Sequence, residues 1–159
     1  MTGRARLKDI TFITIARNLA VLSTCPRKAV GALIVRDGRC ISWGYNGAPP
    51  GQRHCDENFH GWQPNTATEV AMMEESFGID YMDRLGCRNA THAEANALAF
   101  AAREGISTAG GTLYVTLSPC ETCARLLIAA GIERLVFEEL YRDPSGVELL
   151  GRAGVDVDQ

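Results

Sequence analysis

Thr112–Phe137 reads TLYVTLSPCETCARLLIAAGIERLVF. Thr112 to Leu117 has the length and character of a strand, Pro119 to Ala130 of a helix stopped by Gly131, and Arg134 to Phe137 of a second strand. Strand and helix alternating at these lengths argue for parallel strands joined by a right-handed crossover. The alternation continues on both sides. Upstream, Thr91 to Glu104 predicts a helix stopped by Gly105; downstream, Ser145 to Arg152 predicts a helix and Val155 to Val157 a last strand.

Toward the amino terminus, Phe12, Ile15, Ala16 and Leu19 recur at helical spacing and predict an amphipathic helix from Asp9 to about Leu22, ended by Cys25-Pro26. AVGALIV, Asp37-Gly38 and RCISWGYNG then read as a hairpin, because Asp-Gly suits a two-residue turn that needs positive φ. That turn pairs Val30 with Tyr45, and the near-continuous apolar character predicts burial on both faces, with Cys40 in the core. The expected fold is a three-layer α/β/α sandwich on a mixed five-stranded sheet, the hairpin antiparallel and the last three strands parallel. Residues 1–159 read as a single domain with a long loop insertion at about 48–89, holding one short helix around Thr68 to Phe77.

The 159 residues are 46% hydrophobic and 22% charged, so one core can form; the formal charge of −3 offers no basic surface for long nucleic acids. MTGRARLKDITFITIARNLA interrupts its apolar residues with Lys8, Asp9 and Arg17, unlike a signal peptide or a membrane span. A cytoplasmic location follows as the expectation. In that compartment six cysteines point to metal ligands, catalysts or reduced core residues before disulfides.

Cys120 and Cys123 stand at i and i+3 in the first turn of a helix, where both thiols point the same way and the helix dipole favours thiolate. Alone, the pair fits a redox couple, half of a structural knuckle or a catalytic metal site. THAEANAL decides between them, since His92 and Glu94 open another helix one crossover earlier. His92, Cys120 and Cys123 make a nitrogen and sulfur set suited to zinc, with a fourth position for water. A redox reading leaves His92 and Glu94 idle. Thr91 with Glu94 and Ser118 with Glu121 also fit the helix capping box; Glu121 is expected to cap, whereas Glu94 is expected to move protons.

HAEANAL, TLYVTLSPCETC, AAGIERLVFEE, VGALIV and GYNGAPPG together resemble the zinc-dependent cytidine deaminase superfamily, and within it the deoxycytidylate (dCMP) deaminases of phages and cells. The resemblance implies hydrolytic deamination of dCMP to dUMP, feeding thymidylate synthesis, with Glu94 taking the water proton and delivering it to the pyrimidine. It also implies that the Ala93 amide and Ser118 carbonyl orient the base, that Asn46 bonds the sugar, and that Tyr141 stands at a family position. Arg27, Lys28, Arg53, Arg103 and Arg125 are candidates for the phosphate. A homo-oligomer, hexameric in the family's usual form, and dCTP and dTTP effectors are further implications of the resemblance.

The hairpin register brings Cys25 and Cys55 to one end, with Cys87 entering nearby, so with His54 or His60 they form a candidate second, structural zinc site beside the catalytic one. Three reduced thiols are the alternative. Rival substrates are 5-methyl or 5-hydroxymethyl dCMP and tRNA or another polynucleotide, the last disfavoured by the acidic balance and by GYNG. A rival of another class is an inactive, zinc-stabilised interaction module, against which Glu94 speaks, since a structural metal needs no proton shuttle.

Overall fold

The structure, a computed structural model, describes residues 3–25, 27–54 and 90–159. In chain order these form α1 (Gly3–Ala20), β1 (Gly31–Arg36), β2 (Arg39–Tyr45), α2 (Ala93–Arg103), β3 (Thr112–Leu117), α3 (Glu121–Ala129), β4 (Arg134–Glu139), α4 (Ser145–Arg152) and β5 (Asp156–Asp158). One sheet runs in the order β2-β1-β3-β4-β5. β1 is antiparallel to β2 and β3, and β3, β4 and β5 are parallel, which is the mixed sheet the alternation predicts.

Side chains alternate across the central strands and make two apolar layers. On one face Leu33, Val35, Tyr114 and Val136 meet Ile13, Phe12 and Leu19 of α1. On the other, Ala32, Ile34, Leu113, Val115, Leu135 and Phe137 meet Ala93, Ala97, Ala124, Leu127 and Leu150. Helices therefore cover both faces. α2 and α3 stop where expected, each in a Schellman motif: Gly105 and Gly131 take positive φ, and the following residues, Ile106 and Ile132, donate back to Ala101 and Leu127.

Three expectations about the amino-terminal half are corrected. α1 begins at Gly3, because residues 3–8 extend it without a buried contact and so leave no apolar period to read; Ile15 points outward and Ile13 inward. β1 is buried on both faces, but β2 is the sheet edge, which leaves Cys40 exposed and Trp43 45% exposed. The hairpin register also shifts. Asp37 and Gly38 make the expected turn at φ 53° and 73°, yet a β-bulge follows: Val35 faces Cys40 while Ile34 faces Ser42. Gly31, not Val30, thus pairs with Tyr45, and Asn46 comes to lie opposite Val30, whose carbonyl it reaches at 3.1 Å. Beyond the bulge Ser42 and Gly44 face α2. Ser42 Oγ donates to the Ala97 carbonyl at 2.6 Å, and a Cβ at Gly44 would fall 2.5 Å from the Ala93 carbonyl oxygen.

Of the long insertion, residues 48–54 are described and hold a turn in which Gln52 donates to Pro49; the short helix expected around Thr68 to Phe77 lies outside the described residues. Among the described residues no helix is long and apolar enough to cross a membrane.

Candidate active site

β2, β3 and β4 share one direction and β1 opposes them, so the carboxyl ends of three strands and the amino end of β1 meet at one sheet edge, where open α/β sheets place their ligands. A cavity of about 360 Å³ opens there. Thr91 and Gly47 bond reciprocally through their backbones, which ties the segment entering α2 to the end of β2. His92 is the N-cap residue of α2 and Cys120 that of α3. Two helix amino ends, each with unpaired amides and a positive dipole end, therefore face the same space.

Among the described residues, His92, Cys120 and Cys123 bring one ligand atom each within 4.8 Å of one another. Cys120 Sγ lies 3.6 Å and Cys123 Sγ 3.4 Å from His92 Nδ1. Nitrogen at about 2.1 Å and sulfur at about 2.3 Å around a tetrahedral zinc stand roughly 3.6 Å apart, so both sulfurs already have the spacing from Nδ1 that the ion requires. The thiols are coupled. A hydrogen bond with Cys123, helped by His92, pulls the Cys120 thiol down to about 3 against the effect of burial. The same bond pushes the Cys123 thiol far up, and burial and Glu94 add to the rise. Two thiolates and a neutral imidazole balance a dication, and three protein ligands leave one position for solvent or substrate.

Glu94 is 4% exposed, in the first turn of α2. Burial pushes its carboxyl above the ordinary range; its own backbone amide and His92 oppose the rise and Cys120 adds to it. A carboxyl held there is suited to take up and return a proton. The capping box expected of Thr91 and Glu94 does not form as such: the N-cap residue is His92, whose side chain makes no cap bond. The expected capping role of Glu121 is also corrected, since Glu121 turns outward to pair with Arg125 one turn on. The amino end of α3 instead abuts α4, where a Cβ on Gly146 would fall 2.1 Å from the Pro119 carbonyl oxygen.

Ala93, Ser118, Asn46 and Tyr141 line the same cavity as His92, Glu94 and Cys120. Ser118 Oγ accepts from the Tyr141 amide at 2.8 Å and so sets where that residue stands. Asn46 is 8% exposed and bonds chiefly to the chain around it, to Ser23, Lys28 and Val30. Of the phosphate candidates, Arg27 and Lys28 line the cavity. Arg103 packs over Phe100 and bonds Glu104, and Arg125 pairs with Glu121, both away from the cavity; Arg53 is exposed and does not line it. Arg142, unnoticed in the sequence, does line it, with its guanidinium 5.7 Å from the centre of the Tyr141 ring. Of the candidate second zinc set, Cys25 lines the catalytic cavity and His54 is exposed; Cys55, Cys87 and His60 lie outside the described residues.

Comparison with known proteins agrees with this geometry. Residues 7–139 match the model of the cytidine and deoxycytidylate deaminase zinc-binding region. The chain is 37% identical over 173 residues to the deoxycytidylate deaminase of Enterobacteria phage T2, covering 95% of this chain and 91% of that protein. It is 38% identical over 149 residues to ComE operon protein 2 of Bacillus subtilis, covering 93% of this chain and 68% of that protein. Its fold superposes on the dCMP deaminase of cyanophage S-TIM5, solved with dCMP and dUMP, with a TM-score of 0.75 at 25% identity, covering 100% of this chain and 99% of that one. With a metal-ligand triad and a buried carboxylate inside the matched region, the chain belongs to the cytidine and deoxycytidylate deaminase zinc-binding family.

Proposed function

We infer that the protein catalyses the hydrolytic deamination of dCMP to dUMP and ammonia. The observation that carries the reading is one cavity whose lining joins two kinds of chemistry: the metal and proton-transfer residues His92, Cys120 and Glu94, and the cations Arg27, Lys28 and Arg142. Zinc held by His92, Cys120 and Cys123 supplies a Lewis acid that makes water a competent nucleophile near neutral pH. Glu94 accepts the proton that water gives up and passes it to ring nitrogen 3 as oxygen bonds to carbon 4, then takes the second proton from that hydroxyl and gives it to the amino group, which leaves as ammonia. Oxygen from water ends as the carbonyl of dUMP, so the step balances without a further reactant.

The remaining lining residues orient the substrate. The Ala93 amide lies in the first turn of α2, where helix amides lack partners within the helix, and serves as a donor to the pyrimidine carbonyl. The Ser118 carbonyl is the matching acceptor for the amino group. Asn46 has both lone pairs of Oδ1 filled and one Nδ2 hydrogen given to Lys28, so it has one N–H left for a sugar oxygen. Arg27, Lys28 and Arg142 meet the 5′-phosphate, for which paired cations are the expected receptors. Supply of dUMP for thymidylate synthesis in the cytoplasm, a homo-oligomeric state and response to dCTP and dTTP belong to the same reading.

The deciding experiment is ammonia release from dCMP, 5-methyl dCMP, deoxycytidine, dCTP and tRNA. The reading requires dCMP to have the highest kcat/KM. Equal turnover of dCMP and deoxycytidine, preference for tRNA, or no turnover by zinc-loaded protein would each overturn it.

A further inference from the structure

The segment 21–30 joins α1 to β1 with no ladder of its own, so its backbone groups must find partners elsewhere. Asn46 supplies them. Its Oδ1 accepts from the Val30 amide at 2.8 Å and from Ser23 Oγ at 2.6 Å, and its Nδ2 donates to the Lys28 carbonyl at 2.8 Å. An amide donor on one side and a carbonyl on the other fix which way the side-chain amide is turned. Ser23 completes the arrangement: its Oγ also lies 2.8 Å from the Asn46 carbonyl oxygen and accepts from the Cys25 amide at 3.1 Å. Both ends of the segment are thereby tied to one side chain just beyond the end of β2, and the span between the ties carries Arg27 and Lys28 to the cavity.

We propose that Ser23 and Asn46 form a clamp that sets the position of the Arg27 and Lys28 segment, and that this clamp confers preference for a nucleoside monophosphate over the nucleoside. Ser23 is a positioning residue: it is not among the residues lining the cavity, and acts through Asn46 and the segment it holds. The proposal rests on the dCMP reading of the cavity and adds the means by which the phosphate is selected. Loosening the clamp frees the segment, and ordering it again must then be done by the phosphate at the expense of affinity. The zinc ligands and Glu94 stand on or beside α2 and α3, outside the segment, so the chemical step is spared.

The test is Ser23→Ala with Ser23→Thr as the variant that keeps the hydroxyl. In Ser23→Ala the KM for dCMP is expected to rise about five- to tenfold, the worth of one or two such hydrogen bonds, with kcat held within about twofold. Inhibition constants separate phosphate recognition from general damage: that of dUMP should rise in step with KM, that of deoxyuridine should stay, and Ser23→Thr should restore both ratios. Asn46→Asp gives a second measurement, because a carboxylate oxygen facing the Lys28 carbonyl breaks the clamp while keeping the side chain's shape; it also removes the sugar donor that both ligands share, so both should weaken and dUMP by the larger factor. Equal weakening of dUMP and deoxyuridine, or a lower melting temperature with unchanged dUMP affinity, would overturn the clamp. Wild-type protein that binds dUMP no better than deoxyuridine would instead overturn the dCMP reading beneath it.

Discussion

Gly146 tests whether α4 holds the metal site in place. A Cβ there would lie 2.1 Å from the Pro119 carbonyl oxygen, 2.8 Å from the Cys120 carbonyl carbon and 2.9 Å from its oxygen, all of them backbone. To reach ordinary contact in Gly146→Ala, either that backbone or α4 must retreat by roughly 1.3 Å. Zinc ligands tolerate errors of only about 0.2 Å in distance. The Pro119–Cys120 peptide bears Cys120 directly, whereas moving α4 would pull Leu150, fully buried, out of the core. The backbone of the ligand loop is therefore expected to yield. Zinc affinity should fall by about 10- to 100-fold, as when a support of a metal ligand is removed, with a stability cost of about 1–3 kcal/mol typical of overpacking. Competition with a chelating dye reads the affinity, and thermal melting of chelated protein reads the stability. Gly31→Ala is the control, since its Cβ would meet the Ala16 carbonyl oxygen at 2.0 Å on the α1 face; it should cost stability and leave zinc affinity unchanged. Gly146→Ala protein that melts lower but binds zinc as tightly as wild type would show that α4 moved instead, and would refute the reasoning.

Glu94→Gln keeps the shape of the buried side chain and should keep fold and zinc content while kcat falls by about 10²–10⁴; ammonia release at wild-type rate would remove Glu94 from proton transfer. Cys123→Ala should lose the catalytic zinc, and if Cys25 joins Cys55 and Cys87 in a second site, elemental analysis should find two zinc ions per wild-type chain and one in Cys55→Ser; one zinc in both would leave those cysteines as reduced thiols. Asp9 receives both Arg134 terminal nitrogens at 2.9 Å and the Tyr114 hydroxyl at 2.7 Å, and the hydrogen bond from Arg134 is the first reason its carboxyl lies below the ordinary 3.8. The folded value is the lower one, so this stabilisation is complete above 3.8 and is lost as pH falls from there through the folded value; Asp9→Asn should cost about 1–2 kcal/mol at pH 7 and converge with wild type in acid. A constant gap in denaturation midpoint from pH 7 to pH 2 would contradict that linkage.

The carboxyl-terminal half was legible because its local signals agree with its packing. β3 and α4 have the bounds their patterns predict, and α2 and α3 stop at the glycines that predict their ends. In the amino-terminal hairpin the turn was legible but the register and the buried face of β2 were not, and the reason is physical. In CISWGY the apolar residues Ile41, Trp43 and Tyr45 alternate with Ser42 and Gly44, and ordinary reasoning turns the larger set inward. The bulge at Ile41 reverses this, because α2 comes so close that only a hydroxyl and a hydrogen fit beneath it. Trp43 then stacks outward between Tyr45 and Phe100. Two of the phosphate candidates fall away from the cavity for a similar reason. Arg125 lies two residues from Cys123, but two steps of a helix turn it to the opposite side, where Glu121 holds it. Arg103 stands about 15 Å along α2 from the end that faces the cavity.

On the proposed reading, catalysis and substrate choice are borne by different kinds of structure, and this explains which was readable. His92, Glu94, Cys120 and Cys123 sit at the amino ends of two helices whose buried small residues, Ala93, Ala97 and Ala124, seat them against the sheet. Within each pair, His92 with Glu94 and Cys120 with Cys123, spacing along the chain fixes spacing in space, because one helix turn carries one residue to the other. Arg27, Lys28, Tyr141 and Arg142 come from connections after α1 and β4, where position depends on partners distant in sequence: Asn46 for Lys28, Ser118 for Tyr141. No local motif encodes those partnerships. Asn46 shows the consequence most clearly, since GYNG invites a role at the substrate while most of its hydrogen-bonding capacity goes to the segment 23–30. On that reading a substitution at such a connection should leave the zinc and proton chemistry standing and alter what reaches it.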